Sequence, residues 1–347
     1  MPDAASLKTL DKKLRDIHDD PNSTAFILAD AKDADMAFGI ACTGRGPDTP
    51  AGGFRSLEQF RQEIRNNVRQ GLLDVMLMSV STSYELTVRE RLFDDSLMTP
   101  AIRANDTTDL HIARGSDYSR QPSRPFRTAT IDDAQASGKG VDLGLYSVTF
   151  NNDVELDCQT LEAYRQFRIE ADTKGFKHFL EVFDPNAPAH SVAPELLGGF
   201  INDMIVRCLA GVSRPSRPLF LKLVYHGPKF MEELVQYDRH LVPGVLGGSS
   251  GTTYDAFKLL TEARKYGARV ALFGRKINSA EHQLTFVKYL RLLADGQIEP
   301  EEAVKAYHGE LQTMGLTPHR PLNKDMELTT GIMSYGSTRT TSTPPQS

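Results

Sequence analysis

Three consecutive segments, KHFLEVF (177–183), APELLGGFINDMIVRCLAG (193–211) and LFLKLVY (219–225), decide the fold. The first and third are short and apolar at both parities, the pattern of a strand covered on both faces, as in a parallel sheet wrapped by helices. The middle segment carries helical periodicity and ends in Gly211 ahead of the next apolar run. Together they read as strand, helix, strand. Moving outward, the same unit recurs: AFILA (25–29), LDVMLM (73–78), TPAIRA (99–104), VDLGLYSVTF (141–150), LVPGVLG (241–247) and ARVALF (268–273) complete eight apolar runs. Helical stretches such as SLEQFRQEIRNNVRQG (56–71) and TYDAFKLLTEARKYG (253–267) separate them. Eight such units in one chain favour closure over an open sheet, so the expected class is α/β, a (β/α)8 TIM barrel.

Three regions stand outside that plan. ASLKTLDKKLRDIHDD (5–20) places Leu7, Leu10, Leu14 and Ile17 at helical spacing, predicting an amphipathic N-terminal helix lying on the larger core. NDTTDLHIARGSDYSRQPSRPFRTATIDDAQASGKG (105–140) is far longer than an ordinary loop and is expected to be an ordered insertion with a short helix, a lid, an oligomer contact or a variable surface excursion. Residues 1–316 are expected to form the single barrel domain, and the polar stretch 317–347 a disordered or partner-docked tail.

Composition narrows the function. Forty basic against 45 acidic side chains leave a net charge of −5, which argues against a dedicated nucleic-acid or anionic-membrane binder. Cys42, Cys158 and Cys208 are odd in number and widely spaced, unlike a disulfide framework or zinc ribbon. The nine histidines show no HxxxH or HExxH spacing, so neither a metal nor a cofactor is expected. With no apolar run of membrane-spanning length and no apolar signal centre in MPDAASLKTLDKKLRD, a cytoplasmic enzyme is expected.

In such a barrel the chemistry sits at the C-terminal ends of the strands. Lys222 interrupts a run that is otherwise apolar, and lysine is rarely buried without a use or a partner. Desolvation disfavours the ammonium, and a neutral amine attacks carbonyl carbon to form a Schiff base; the same placement also serves a structural ion pair. Glu181, on the preceding strand between Phe179 and Phe183, is close enough to meet it, either as a general acid and base or as a salt-bridge partner. Asp30 ends the first strand and is the third catalytic candidate, if it shares their layer.

The last two strands carry a second signal. Gly247, Gly248, Ser249 and Gly251 follow strand seven, and Gly274 and Arg275 follow strand eight. Loops at these places, with a helix N-terminus, form the common phosphate site of such barrels, and Arg275 adds a possible clamp. Arg103, with Asn105 and Asp106, and Tyr146, with Asn151 and Asn152, are further candidates for lining the pocket, each equally suited to a structural role.

With these residues in place, LKLVYHGP (221–228), VLGGSSGTT (245–253), LFGRKIN (272–278) and FLEVFDP (179–185) resemble the motifs of the prokaryotic class I aldolases of the archaeal fructose-bisphosphate and tagatose-bisphosphate kind. The resemblance implies a (β/α)8 barrel, metal-free aldol cleavage of a phosphorylated ketose through a Schiff base on Lys222, Glu181 and Asp30 as its helpers, and a homo-oligomer. The first-strand segment LADAKDADMAF (28–38) departs from the DHG and DQRG patterns of those groups, as does the long insertion. Acyl transfer or condensation on the same lysine, and a non-catalytic sugar-phosphate sensor, remain alternatives.

Overall fold

A computed structural model of the chain describes residues 7–45, 53–107, 112–117, 120–187, 191–248 and 251–330. Eight parallel strands close into a barrel in chain order. They are β1 (Ile27–Lys32), β2 (Val75–Met78), β3 (Thr99–Arg103), β4 (Leu143–Thr149), β5 (Lys177–Phe183), β6 (Leu221–Leu223), β7 (Gly244–Leu246) and β8 (Val270–Phe273). Each lies within or beside one of the eight apolar runs, and β8 returns to pair with β1, Ala29 opposite Leu272.

Side chains alternate between two cores because successive strand residues point to opposite faces. Leu28, Met76, Ile102, Tyr146, Leu180, Leu221, Val245 and Phe273 pack outward against the helices. Ile27, Ala29, Val75, Leu77, Ala101, Leu145, Phe179, Phe220 and Leu272 fill the interior. The N-terminal helix Thr9–Asp19 adds Leu10, Leu14 and Ile17 to this inner cluster, so its apolar stripe serves as a plug for the N-terminal end of the barrel.

The long insertion contains the expected short helix, Ile131–Gln135, capped by the Thr130 side chain on the Asp133 N–H. It is tied to the ends of β4 and β5: Asn151 exchanges hydrogen bonds with the Ser123 backbone, and Asn186 donates to the Gln121 carbonyl. The C-terminal boundary differs from expectation. Residues 317–330 lie on the barrel, with a turn of helix at Leu322–Asp325 and with Met326 and Leu328 packed on the outer core. Polar contacts accompany this packing. Asp325 accepts from the Thr253 N–H, and Asp255 accepts from the Thr329 and Thr330 N–H groups. The remaining tail, 331–347, lies outside the described residues. Among the described residues no helix is long and apolar enough to cross a membrane.

Candidate active site

Lys222 shares the inward side of β6 with Phe220, while Leu221 and Leu223 face the helices. The same alternation on β5 puts Glu181 on the side of Phe179, and the register sets Glu181 opposite Lys222. Their side chains meet, Lys222 Nζ lying 2.5 Å from Glu181 Oε1, with side-chain exposures of only 9 % and 3 %. The stacked rings of Phe179 and Phe220, 4.5 Å between centroids, form an apolar floor one strand position below the pair. These rings close the side of the pair that faces the N-terminal end of the barrel.

The pair is part of a polar layer. Ser147, in register with Glu181 on β4, donates to Glu181 Oε2 at 2.8 Å. Ser147 is fixed in turn by Asn105, whose side-chain oxygen accepts from the Ser147 N–H and whose amide donates to the Ser147 carbonyl. Asn105 thus continues with its side chain the ladder that β3 ends at Arg103. Burial raises the carboxyl pKa of Glu181, but the Lys222 and Arg103 cations, with hydrogen bonds from Lys222 and Ser147, outweigh it and hold the group below its ordinary value. Glu181 is therefore held as the anion beside Lys222.

Arg103 lies in this layer without an open fork. Its Nη1 contacts Asp33 at 2.9 Å, and its Nε contacts Asp106 at 3.1 Å and the Asn105 carbonyl. These contacts join two carboxylates, Asp33 and Asp106, at this end of the barrel. Asp33, buried just past β1, thus belongs to this end of the barrel.

Asp30 does not join it. It has the parity of Leu28, which packs outward, and it contacts Asn67 on helix Leu57–Gln70 at 3.2 Å and Lys32 at 3.7 Å. Burial pushes the Asp30 carboxyl up to about 6 against the pull of Lys32, and burial likewise lowers the Lys32 ammonium. The two form a buried cluster between strand and helix, extended by Gln283 at 2.7 Å from Lys32. Tyr146 is likewise displaced from the expected pocket. It faces the helices, its ring stacked 4.5 Å from Phe167, and it is a core residue. Both misplacements arise from one cause: a strand covered on two faces gives no apolar/polar alternation from which to tell inside from outside.

The two glycine loops do come together. A Cβ on Gly247 would fall 2.0 Å from the Phe273 ring, and one on Gly274 would fall 2.7 Å from the Ala31 carbonyl oxygen, so glycine is required for this approach. Lys276 links the loops by donating to the Gly251 carbonyl at 2.8 Å; burial, reinforced by Arg320, keeps its ammonium below the ordinary value. Arg275 is exposed, with its guanidinium 5.4 Å from the Phe38 ring. Gly248 adopts a left-handed φ of +58°, and Ser249 lies outside the described residues.

The helix N-terminus after β7 is not open to an anion as expected. Thr252 and Asp255 form a capping box, and the Thr253 N–H is taken by Asp325.

Where β5 and β6 run out, Asp184 Oδ1 and His226 Nε2 meet at 2.9 Å, a pair that the scattered histidine spacing did not reveal. A cavity of about 860 Å³ lies elsewhere: it opens at the N-terminal end, between the starts of β3 to β5 and the N-terminal helix.

No protein-family model matches the chain, and no curated protein sequence does. Solved structures do. The fold resembles that of Schiff-base-forming aldolases. An archaeal fructose 1,6-bisphosphate aldolase matches with a TM-score of 0.60 at 15 % identity, over 83 % of this chain and all of its own. A structure of such an archaeal enzyme, with its catalytic lysine bound to the carbinolamine intermediate of the substrate, gives 0.59 at 16 % identity over the same shares. The fructose-bisphosphate aldolase of Slackia heliotrinireducens gives 0.61 at 13 %, covering 89 % of this chain and 94 % of that one. Likeness at this identity concerns the fold.

Proposed function

We propose that this protein is a metal-independent class I aldolase that cleaves, or forms, a carbon–carbon bond in a phosphorylated ketose through a Schiff base on Lys222. The observation that carries the reading is the 2.5 Å contact between Lys222 and an anionic, buried Glu181 on the inward side of adjacent strands. Proton transfer from the ammonium to Glu181 yields the nucleophilic amine. The amine adds to the ketone carbonyl, Glu181 returns the proton to the carbinolamine hydroxyl, and water leaves as the iminium forms. The iminium then accepts the electrons of the breaking bond, and water hydrolyses it at the end of the cycle.

Ser147 and Asn105 keep Glu181 aimed at the nitrogen throughout. The glycine loops after β7 and β8 hold the phosphate by backbone N–H groups, with Lys276 securing the two loops to each other. Asp33 takes the role that Asp30 is unable to fill, lying next to Arg103 where a substrate hydroxyl needs orientation. Cytoplasmic location and a homo-oligomeric state belong to the same reading.

The test is reductive trapping. Sodium borohydride with a panel of phosphorylated ketoses is expected to inactivate the protein irreversibly, and Lys222→Met to abolish the adduct. Absence of an adduct across the panel, with the protein folded, overturns the proposal. One observation favours a second reading, a sugar-phosphate binding protein: both members of the pair are nearly closed to solvent, as a purely structural ion pair would be. In that case phosphorylated ligands would raise the thermal midpoint equally in the parent and in Lys222→Met, without turnover.

A further inference from the structure

The lysine and carboxylate pair handles protons at the carbinolamine, but bond cleavage needs a base farther out, at the hydroxyl of the departing aldehyde. His226 and Asp184 follow the ends of the same two strands, four residues beyond Lys222 and three beyond Glu181. Both lie in the segments that leave β5 and β6 at the C-terminal rim of the barrel, the end toward which Lys222 and Glu181 stand. His226 stays largely covered, with 8 % side-chain exposure.

The bond to Asp184 settles the tautomer. A carboxylate accepts, so Nε2 carries the hydrogen, and in the neutral imidazole the lone pair is on Nδ1. Nδ1 makes no hydrogen bond to a described residue. A carboxylate fixing one imidazole nitrogen while the other is left to take a proton is the arrangement of a general base.

We propose that His226, oriented by Asp184, is the second acid–base group of this site, acting on the substrate hydroxyl whose carbon departs as aldehyde. This rests on the Schiff-base reading of Lys222. In cleavage, Nδ1 removes the hydroxyl proton, the C–O bond becomes a carbonyl, and the C–C electrons pass to the iminium to give an enamine. After the aldehyde leaves, the imidazolium returns the proton to the enamine carbon and is neutral again. Glu181 serves the nitrogen and the carbinolamine oxygen, and His226 serves the carbon chain.

Two readouts separate these duties. Borohydride trapping with dihydroxyacetone phosphate reports iminium formation, and exchange of its carbon-bound hydrogen in D₂O reports proton transfer through the enamine. In His226→Gln, trapping is expected to persist while exchange and cleavage fall about 10²- to 10⁴-fold, the usual contribution of a positioned acid–base group. Asp184→Asn is expected to slow exchange by less, and added imidazole to restore part of the rate of His226→Ala in a concentration-dependent way. If the parent forms no adduct, the Lys222 reading falls and takes this inference with it. If the parent forms one, the inference alone is overturned by either of two results: exchange at the parent rate in both His226 variants, or trapping lost in proportion to exchange with no imidazole rescue.

Discussion

Replacing Lys222 by methionine should reveal, through stability alone, whether Glu181 is charged and dry. The substitution keeps the apolar stem of the side chain and removes only the ammonium, so little cavity is created. It leaves a buried carboxylate held by Ser147 and the field of Arg103, without its nearest cation. Breaking a buried pair by deleting one partner costs about 3–5 kcal/mol. The cost must depend on pH, and its sign follows from Glu181. In the parent, the carboxyl lies below its ordinary value, so its stabilisation is present above the unfolded value of about 4.3 and is lost as pH falls through the folded one. Without Lys222, burial dominates and the carboxyl moves upward. The variant then loses stability as pH rises from the unfolded value to the new folded one, by about 1.4 kcal/mol for each unit of the rise. Urea unfolding of parent and variant at pH 5 and pH 8 measures this directly. The expected gap is largest at pH 8 and narrows at pH 5, and Lys222→Met combined with Glu181→Gln recovers much of it because no charge is stranded. A Lys222→Met protein as stable as the parent at both pH values would refute the reasoning.

Other consequences are equally specific. Gly247→Ala is expected to cost about 1–3 kcal/mol through collision with the Phe273 ring and to weaken phosphate protection in a thermal-shift assay. Asp30→Asn, on the helix side of β1, is expected to leave reductive trapping on Lys222 intact, whereas Asp33→Asn is expected to lower turnover by releasing Arg103. Removing the Asp325 carboxylate by Asp325→Ala takes away the bonds to the Thr253 N–H and His308 and should cost about 1–3 kcal/mol near neutral pH. Burial opposes the ionised form of Asp325, but His308 and Thr253 outweigh it, so that deficit should disappear as pH falls below about 4. Limited proteolysis should register the same substitution as faster cleavage between residues 316 and 330.

Much of this organisation is legible in the amino-acid sequence. The eight apolar runs, the stripe of Leu10, Leu14 and Ile17, and the lysine in LFLKLVY all correspond to structural features because burial periodicity is a local property of the chain. What was misread depended on the third dimension. The difference between Asp30 and Asp33 is one of strand parity and of where the strand gives way to a loop, and an all-buried strand hides both. Tyr146 and Ser147 are neighbours with opposite fates: one enters the helix-side aromatic cluster, and the other binds Glu181. The pairing of Asp184 with His226 joins residues 42 apart through strand register, for which no spacing motif exists. The docking of 317–330 escaped notice because it includes individual hydrogen bonds to Asp255 and Thr253, which apolar composition does not show.

The most direct measurement is the location of the trapped adduct. The parent protein is to be reduced with borohydride in the presence of fructose 1,6-bisphosphate or dihydroxyacetone phosphate, digested, and mapped by mass spectrometry. The expected result is a single added triose-phosphate mass on the peptide bearing Lys222, with Lys32 and Lys276 unmodified. An adduct on another lysine, or none in a folded protein, would contradict the central claim.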